Sequence, residues 1–158
     1  MILKIIGSAV AVASSIIAAG SIVSAEKRRT AQLYALARLT EHIGRQIENF
    51  STPVHQILKN ADPSLLHECG SSSPATENFG DFINSCDLAL NEEEKRTLSA
   101  FSAELGRRFR DEQVKSCALC SAQLYEMANT VAQQLPKKQK VTYTLFVCSA
   151  LALVIILA

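Results

Sequence analysis

The sequence has few of the residues from which enzyme sites are usually built. It contains no tryptophan, only three histidines and only six glycines among 158 residues. It has no glycine-rich phosphate loop, no nucleophile elbow and no paired metal-binding motif. The consecutive acids Glu92, Glu93 and Glu94 cannot share one metal ion, because neighbouring residues of a helix point in different directions. We therefore expect no catalytic residues, no cofactor and no metal.

Charged residues are also absent from both ends of the chain. Residues 5–25 and residues 141–158 contain no Asp, Glu, Lys or Arg. A bilayer core of about 30 Å is crossed by roughly 20 helical residues. An uncharged run of this length can cross it only as a helix that satisfies its own backbone hydrogen bonds. The sequence predicts an N-terminal transmembrane helix in residues 1–25, an α-helical domain in residues 26–140 and a C-terminal transmembrane helix in residues 141–158.

Basic residues beside the two uncharged runs indicate their orientation, because such residues stay mainly on the cytoplasmic side of a membrane. Only Lys4 lies on the outer side, whereas six basic residues flank the middle domain: Lys27, Arg28, Arg29, Lys137, Lys138 and Lys140. The predicted location is the cell membrane, crossed twice, with the middle domain in the cytoplasm. One alternative stays open, since the small residues of 23–25 resemble a leader cleavage site. That alternative is an exported helical protein with a cleaved leader and a C-terminal tail anchor.

The middle domain carries no net charge. Residues 26–140 hold 15 of the 16 basic residues and all 15 acidic residues of the chain. A nucleic-acid-binding domain normally has a basic excess or aromatic stacking groups, and this segment has no basic excess and no tryptophan. We therefore expect no nucleic-acid partner.

The chain has five cysteines. An odd number leaves one thiol unpaired, and the cytoplasm keeps thiols reduced, so we expect no structural disulfide. Cys117 and Cys120 form a Cys-x-x-Cys motif, but the motif lies in a helical pattern without a preceding strand, and a zinc site would need a second ligand pair. We interpret both cysteines as packing residues. A thiol redox or metal sensor that uses this pair is the alternative.

Apolar residues of the middle domain recur at helical spacing, and no alternating run indicates a strand. The predicted fold class is therefore all-α, a helical bundle between the two transmembrane helices. The first helix continues out of the membrane to Phe50. A hydroxyl residue ahead of Pro53 then starts a short helix, which Asp62 and Pro63 end. Another short helix is predicted over residues 75–86.

Two long helices follow. Asn91 and the acids after it form a capping signal, and Gly106 ends this helix in a turn rich in arginine. The last helix has a heptad pattern typical of a coiled coil, formed by Val114, Cys117, Ser121, Leu124, Ala128, Val131 and Leu135. We expect these two helices to form an antiparallel hairpin and Pro136 to break the last one before the second anchor. Small residues in the first anchor would permit a homo-oligomer.

The turn between the two long helices is the candidate partner-binding surface. Three guanidinium groups on a short connection can grip carboxylates through paired hydrogen bonds. The alternative is a solvated turn, because basic residues at a helix C-terminus stabilise the helix through its dipole alone. The candidate residues are Arg107, Arg108, Arg110, Asp111, Glu112 and Gln113.

Several short motifs follow one another in a recognisable order. After the first uncharged run come Leu36, Leu39 and Ile43, Thr52-Pro53, Leu88–Leu90 before an acidic helix start, Leu105-Gly106, Asp111-Glu112-Gln113 and a final apolar segment. In this order the chain resembles the stage III sporulation protein AB family over nearly its whole length. It departs from the family pattern at residues 107–111, where the family usually has Ser-Asp, and in the Cys117–Cys120 pair.

The resemblance implies a role in endospore formation. The family is part of the mother-cell half of a transenvelope complex that links mother cell and forespore, and it does no chemistry. It is similar to the inner-membrane platform proteins of type II secretion and type IV pilus machines, whose cytoplasmic helical bundles couple an ATPase to the membrane apparatus. By this analogy we expect the middle domain to contact a cytoplasmic ATPase and other proteins of the complex.

Overall fold

The structure is a computed structural model that describes residues 2–71 and 78–157. Side chains of residues 2–13, 15, 16, 150 and 153–157 lie outside the description. The described residues form six helices and no strand, which confirms the predicted all-α class: α1 (Ile2–Phe50), α2 (Val54–Asn60), α3 (Pro63–Glu68), α4 (Phe79–Ser85), α5 (Glu92–Glu104) and α6 (Arg110–Leu157).

The chain divides into two compact units. One unit consists of residues 28–130, and the other consists of residues 1–27 together with residues 131–158. Both boundaries fall inside the long helices α1 and α6. The helices α2 to α5 belong entirely to the unit of residues 28–130, which we call the bundle unit; the other is the terminal unit.

In the bundle unit, α1 and α6 lie antiparallel. The hydroxyl of Tyr34 donates to Oδ1 of Asn129 at 2.6 Å. Further along α1 and earlier in α6, Gly44 lies against Cys117, so closely that a Cβ on Gly44 would be 3.0 Å from the Cβ of Cys117. The heptad residues Cys117, Ser121, Leu124 and Ala128 are buried, as are Leu33, Leu36, Leu39 and Ile43 of α1. The described contacts of this α6 face are therefore with α1, while the α5–α6 hairpin and the coiled coil stay predictions.

Asp62 and Pro63 follow the end of α2, as predicted, but they also begin α3, a helix that the sequence did not predict. Asp62 is the N-cap of α3 and accepts a hydrogen bond from the Ser64 N–H at 2.9 Å. Proline lacks an N–H and its fixed φ suits the first helical position, so the Asp-Pro pair starts this helix as well as ending α2. The predicted break of the last helix at Pro136 is wrong, because α6 continues through this residue. A proline removes only one backbone hydrogen bond, and helical residues on both sides can keep theirs.

The start of α5 is as predicted. The side chain of Asn91 accepts from the Glu94 N–H at 2.8 Å, and Glu94 Oε2 accepts from the Asn91 N–H at 2.8 Å, which completes a capping box. Phe101 of α5 then packs edge-on against Phe79 of α4, with ring centroids 5.3 Å apart. The short helix predicted over 75–86 is present as α4, although residues 75–77 lie outside the described part. Helix α2 begins without a side-chain cap, with Pro53 rather than Thr52 at the N-cap position.

The segment of residues 87–90, before α5, is held by α1. Gln32 is buried, and its side chain forms two hydrogen bonds with this segment: Nε2 donates to the carbonyl of Asp87 at 2.7 Å, and Oε1 accepts from the Ala89 N–H at 2.8 Å. The Asp87 N–H donates in turn to the carbonyl of Gly70 at 3.1 Å. One amide side chain thus bonds to both a carbonyl and an N–H of this segment, and it ties the end of α3 and the start of α5 to α1.

Within the described residues, no helix carries a stretch that is both long enough and apolar enough to cross a membrane. The predicted anchors in residues 1–25 and 141–158 fall partly on side chains outside the described part. They stay predictions.

Candidate partner-binding groove

A groove of about 550 Å³ lies in the bundle unit where α1 ends and α6 begins. Residues from the ends of α1, α2, α4, α5 and α6 and from their connections line it. The charged residues of the lining are Arg107 and Arg110, and His55 also lines the groove. We call it the arginine groove. This lining would complement a carboxylate, because its charged residues are both arginines and none of its residues is acidic.

The conformation of Ser51 ends α1 at this groove. Its φ is +51°, and its N–H donates to the carbonyl of Ile47 at 3.1 Å. This is the left-handed cap with which many helices end, although glycine is the usual residue there. The turn directs the chain into the Thr52-Pro53 segment, which lines the groove.

Arg110 caps the same end of α1 by binding its last carbonyl groups. Its Nε donates to the carbonyl of Ile47 at 3.2 Å, and its Nη2 donates to the carbonyl of Glu48. The last carbonyls of a helix lack partners within the helix, and a guanidinium group there also interacts favourably with the helix dipole. Arg110 therefore holds α6 to the end of α1 and is not a free recognition group.

Two more of the predicted site residues are engaged within the turn. Arg108 pairs at 2.8 Å with Glu104, the last residue of α5, four positions earlier in the chain. Gln113 donates through Nε2 to the carbonyl of Arg108 at 2.5 Å and lines the groove. Asp111 and Glu112 are exposed in the first turn of α6, where acids stabilise a helix through its dipole.

Arg107 differs from the other predicted site residues. It lines the groove, it is exposed, and its side chain has no acidic partner among the described residues. Two aromatic side chains are also exposed. Phe109, two positions after Arg107 in the chain, is 84% exposed, and Phe50, the last residue of α1, is 70% exposed. An exposed guanidinium group without an acidic partner and exposed aromatic rings are residue types that interfaces favour.

The structure thus separates the six predicted residues. Arg107, Arg110 and Gln113 lie at the groove, whereas Arg108, Asp111 and Glu112 are not among its lining residues. Two features of this surface were not predicted: the end of α1, which lines the groove, and the exposed Phe109, which directly precedes Arg110 in the chain. Phe109 was detectable, because it is a large apolar residue inside a run of arginines. The contribution of α1 was not, because it depends on the pairing of helices that are distant in the sequence.

The cysteine pair lies elsewhere, on the buried face of α6. Burial raises the pKa of Cys117 to about 11 and that of Cys120 to about 12. A redox or metal-binding thiol needs a lowered pKa, so these surroundings favour packing residues over a sensor. In the described part of the chain the cysteines are free and no group of three or more His, Cys, Asp or Glu side chains could hold a metal ion.

Comparison with known proteins identifies the family. The family model for stage III sporulation protein AB matches residues 4–158. The searches of curated proteins and of solved structures found no match. Because the family model covers nearly the whole chain, it confirms the resemblance, and this chain belongs to the stage III sporulation protein AB family.

Proposed function

We propose that this chain is a non-enzymatic membrane platform component of the complex that connects mother cell and forespore during endospore formation. Both ends anchor it in the mother-cell membrane that faces the forespore, and the helical domain contacts the cytoplasmic ATPase of that complex. The observation that carries the proposal is membership of a sporulation family over residues 4–158.

The uncharged ends support the membrane part of the proposal. Residues 5–25 and 141–158 each contain about the number of residues needed to cross a bilayer as a helix and carry no charge. The basic residues that follow and precede them favour a cytoplasmic helical domain.

The arginine groove supports the partner part. A platform protein needs a surface that its own fold does not use. Arg107 and Phe109 meet this requirement because both are exposed and neither side chain has a described polar or aromatic partner. Arg110 does not meet it, since its guanidinium group caps α1. We infer that the ATPase binds at Arg107 and Phe109 through a segment that carries a carboxylate and an apolar side chain.

Co-purification tests this contact. The double variant Arg107→Glu with Phe109→Ser, tagged and expressed in sporulating cells, should recover roughly tenfold less ATPase from detergent-solubilised membranes than the unaltered chain. A loss of this size is typical when an interface arginine or aromatic anchor is removed. Arg96→Glu is the matched control, because Arg96 is an exposed arginine of α5 outside the groove. Unchanged recovery with the double variant, or an equal loss with Arg96→Glu, contradicts the assignment of the contact.

Topology is tested separately. Single cysteines are placed by Ser99→Cys, at an exposed position of α5, and by Ala158→Cys, in a chain whose own five cysteines have been replaced. Intact cells are then treated with a thiol reagent that cannot cross membranes. Labelling at residue 158 alone agrees with two anchors and a cytoplasmic domain. Labelling at residue 99 alone would place the domain outside the cytoplasm and favour the exported protein with a cleaved leader.

A further inference from the structure

A second groove lies in the terminal unit, where the ends of the two uncharged runs come together. Its volume is about 290 Å³. Its lining includes the apolar side chains Ile22, Leu135 and Val141 and the charged side chains Glu26, Lys137 and Lys138. We call it the lysine groove.

The charges of the lysine groove do not cancel. Lys138 donates from Nζ to Oε1 of Glu26 at 3.2 Å, which pairs these two groups. Lys137 is exposed and has no acidic partner in the described part of the chain. One positive charge is therefore left beside an apolar groove. An occupant with an apolar portion and a single negative charge would complement both features.

The groove also lies at a defined place along the chain. Ile22 belongs to the uncharged run 5–25 and Val141 begins the uncharged run 141–158, whereas Lys137 precedes it. If the runs are anchors, as in the proposed function, this is the level at which hydrocarbon gives way to lipid headgroups, and lysine side chains extend toward that level. A phospholipid changes from acyl chain to phosphate over the same distance.

We propose that the lysine groove binds one anionic phospholipid, with an acyl chain against Ile22 and Val141 and the phosphate at Lys137. The proposal rests on the anchoring of both ends in the membrane. It adds a lipid preference that anchoring alone does not require, because ordinary anchors accept any bilayer lipid.

The absence of tryptophan from the chain gives a direct test, since one introduced tryptophan reports only its own surroundings. Gln139→Trp places the reporter at a lining residue of the groove. The full chain is reconstituted in phosphatidylcholine vesicles with a minor fraction of phosphatidylglycerol, and bromine is carried on the acyl chains of either lipid in matched amounts. Brominated phosphatidylglycerol should quench the reporter as if enriched about fivefold at the groove, the effect expected for one lysine at an anionic surface. Thr144→Trp, at an exposed position outside the groove, should show no such preference.

Matched lysine variants locate the effect. Lys137→Gln should abolish the preference for phosphatidylglycerol at the Gln139→Trp reporter. Lys140→Gln removes the same charge from an exposed lysine that does not line the groove and should leave the preference intact. An equal effect of both variants would mean general attraction of anionic lipid and would overturn the specific site.

Other outcomes also decide the question. If soluble glycerol phosphate relieves the quenching, the groove is a phosphate site and not a lipid site. If neither brominated lipid quenches the groove reporter while both quench Thr144→Trp, another protein segment covers the groove. Each result overturns the proposal. Vesicle flotation separates it from the proposed function: a chain that floats without lipid preference refutes only the lipid site, and a chain that does not float refutes both.

Discussion

At the scale of single residues, Gly70 shows how closely α1 and the segment before α5 approach each other. Its φ is +94°, and a Cβ there would lie 2.7 Å from Nε2 of Gln32 and 2.8 Å from the carbonyl oxygen of Asp87. Both atoms belong to the hydrogen bonds that hold this segment to α1. A side chain at residue 70 would therefore separate groups that must touch.

We expect Gly70→Ala to lower the free energy of unfolding by roughly 2–4 kcal/mol, because it adds this clash to the cost of a left-handed backbone. Gly106→Ala is the control, since Gly106 has φ of +84° but no atom within 4 Å of an added Cβ. It should cost only the backbone term of about 1–2 kcal/mol. Urea unfolding of the full chain in detergent, followed by circular dichroism, measures both. Equal losses would show that the space around Gly70 is unimportant.

The buried thiols of α6 should be unreactive in the folded chain. Since burial raises the pKa of Cys117 to about 11 from an ordinary value of 9.0, its thiolate fraction at pH 8 is about a hundredfold lower than in an exposed thiol. Alkylation of Cys117 and Cys120 by iodoacetamide, read by mass spectrometry, should be slower than in urea-unfolded chain by at least that factor. Rapid alkylation of both in the native chain would contradict burial and revive the sensor interpretation.

The same shift has a consequence for stability at high pH. The folded state favours the neutral thiols of Cys117 and Cys120. Their contribution to the free energy of unfolding is therefore fully present below about pH 9, where the unfolded chain also keeps both protons. It is lost as the pH rises from 9 toward 11 and 12. The decline in unfolding free energy over this range should be shallower when both cysteines are replaced by alanine.

At the scale of helices, a buried ion pair joins α1 to the start of α5. Arg29 contacts both carboxylate oxygens of Glu94, with Nη2 to Oε1 at 2.6 Å and Nε to Oε2 at 3.0 Å. The two side chains are only 17% and 3% exposed. Glu94 also accepts the Asn91 N–H in the capping box, so one carboxylate both starts α5 and attaches it to α1.

Removal of one partner should leave the other as an unpaired buried charge. We expect Arg29→Ala to destabilise the fold by about 3–5 kcal/mol. The control is Asp87→Ala, which removes the carboxylate of the pair between Arg28 and Asp87; there the side chains are 49% and 82% exposed, and the loss should stay below about 1 kcal/mol. Thermal unfolding of both variants in detergent tests the difference, and similar melting temperatures would refute the importance of burial.

Helices could be predicted from the sequence where their signal is local. Contacts between segments that are distant in the sequence could not be predicted. The Asn91 cap, the end of α1 at Phe50 and the buried heptad residues of α6 follow from spacing and capping chemistry. Helix α3 was missed because its Asp-Pro start was interpreted only as the end of α2. Arg29 was interpreted as a residue flanking an anchor, since nothing near it in the sequence indicates that Glu94, 65 positions later, is its partner.

At the scale of the whole molecule, the contacts that define the bundle unit all lie between residues 28 and 130. The Gln32 hydrogen bonds, the Arg29–Glu94 pair, the Arg110 cap and the α1–α6 face are inside these limits. The candidate contact with an ATPase, at Arg107 and Phe109, is inside them too. None of these named contacts uses a side chain from the uncharged runs.

A fragment of residues 26–140 should therefore fold without the chain ends. We expect a water-soluble, monomeric helical domain whose urea unfolding is a single cooperative transition, whereas the full chain should need detergent. The Arg29→Ala substitution should destabilise the fragment by the same amount as the full chain, because its partner Glu94 is retained. Circular dichroism and sedimentation measure these properties. Loss of cooperative unfolding in the fragment, with cooperative unfolding kept in the full chain, would mean that the ends stabilise the bundle, and the anchors would then have to be counted as part of its fold.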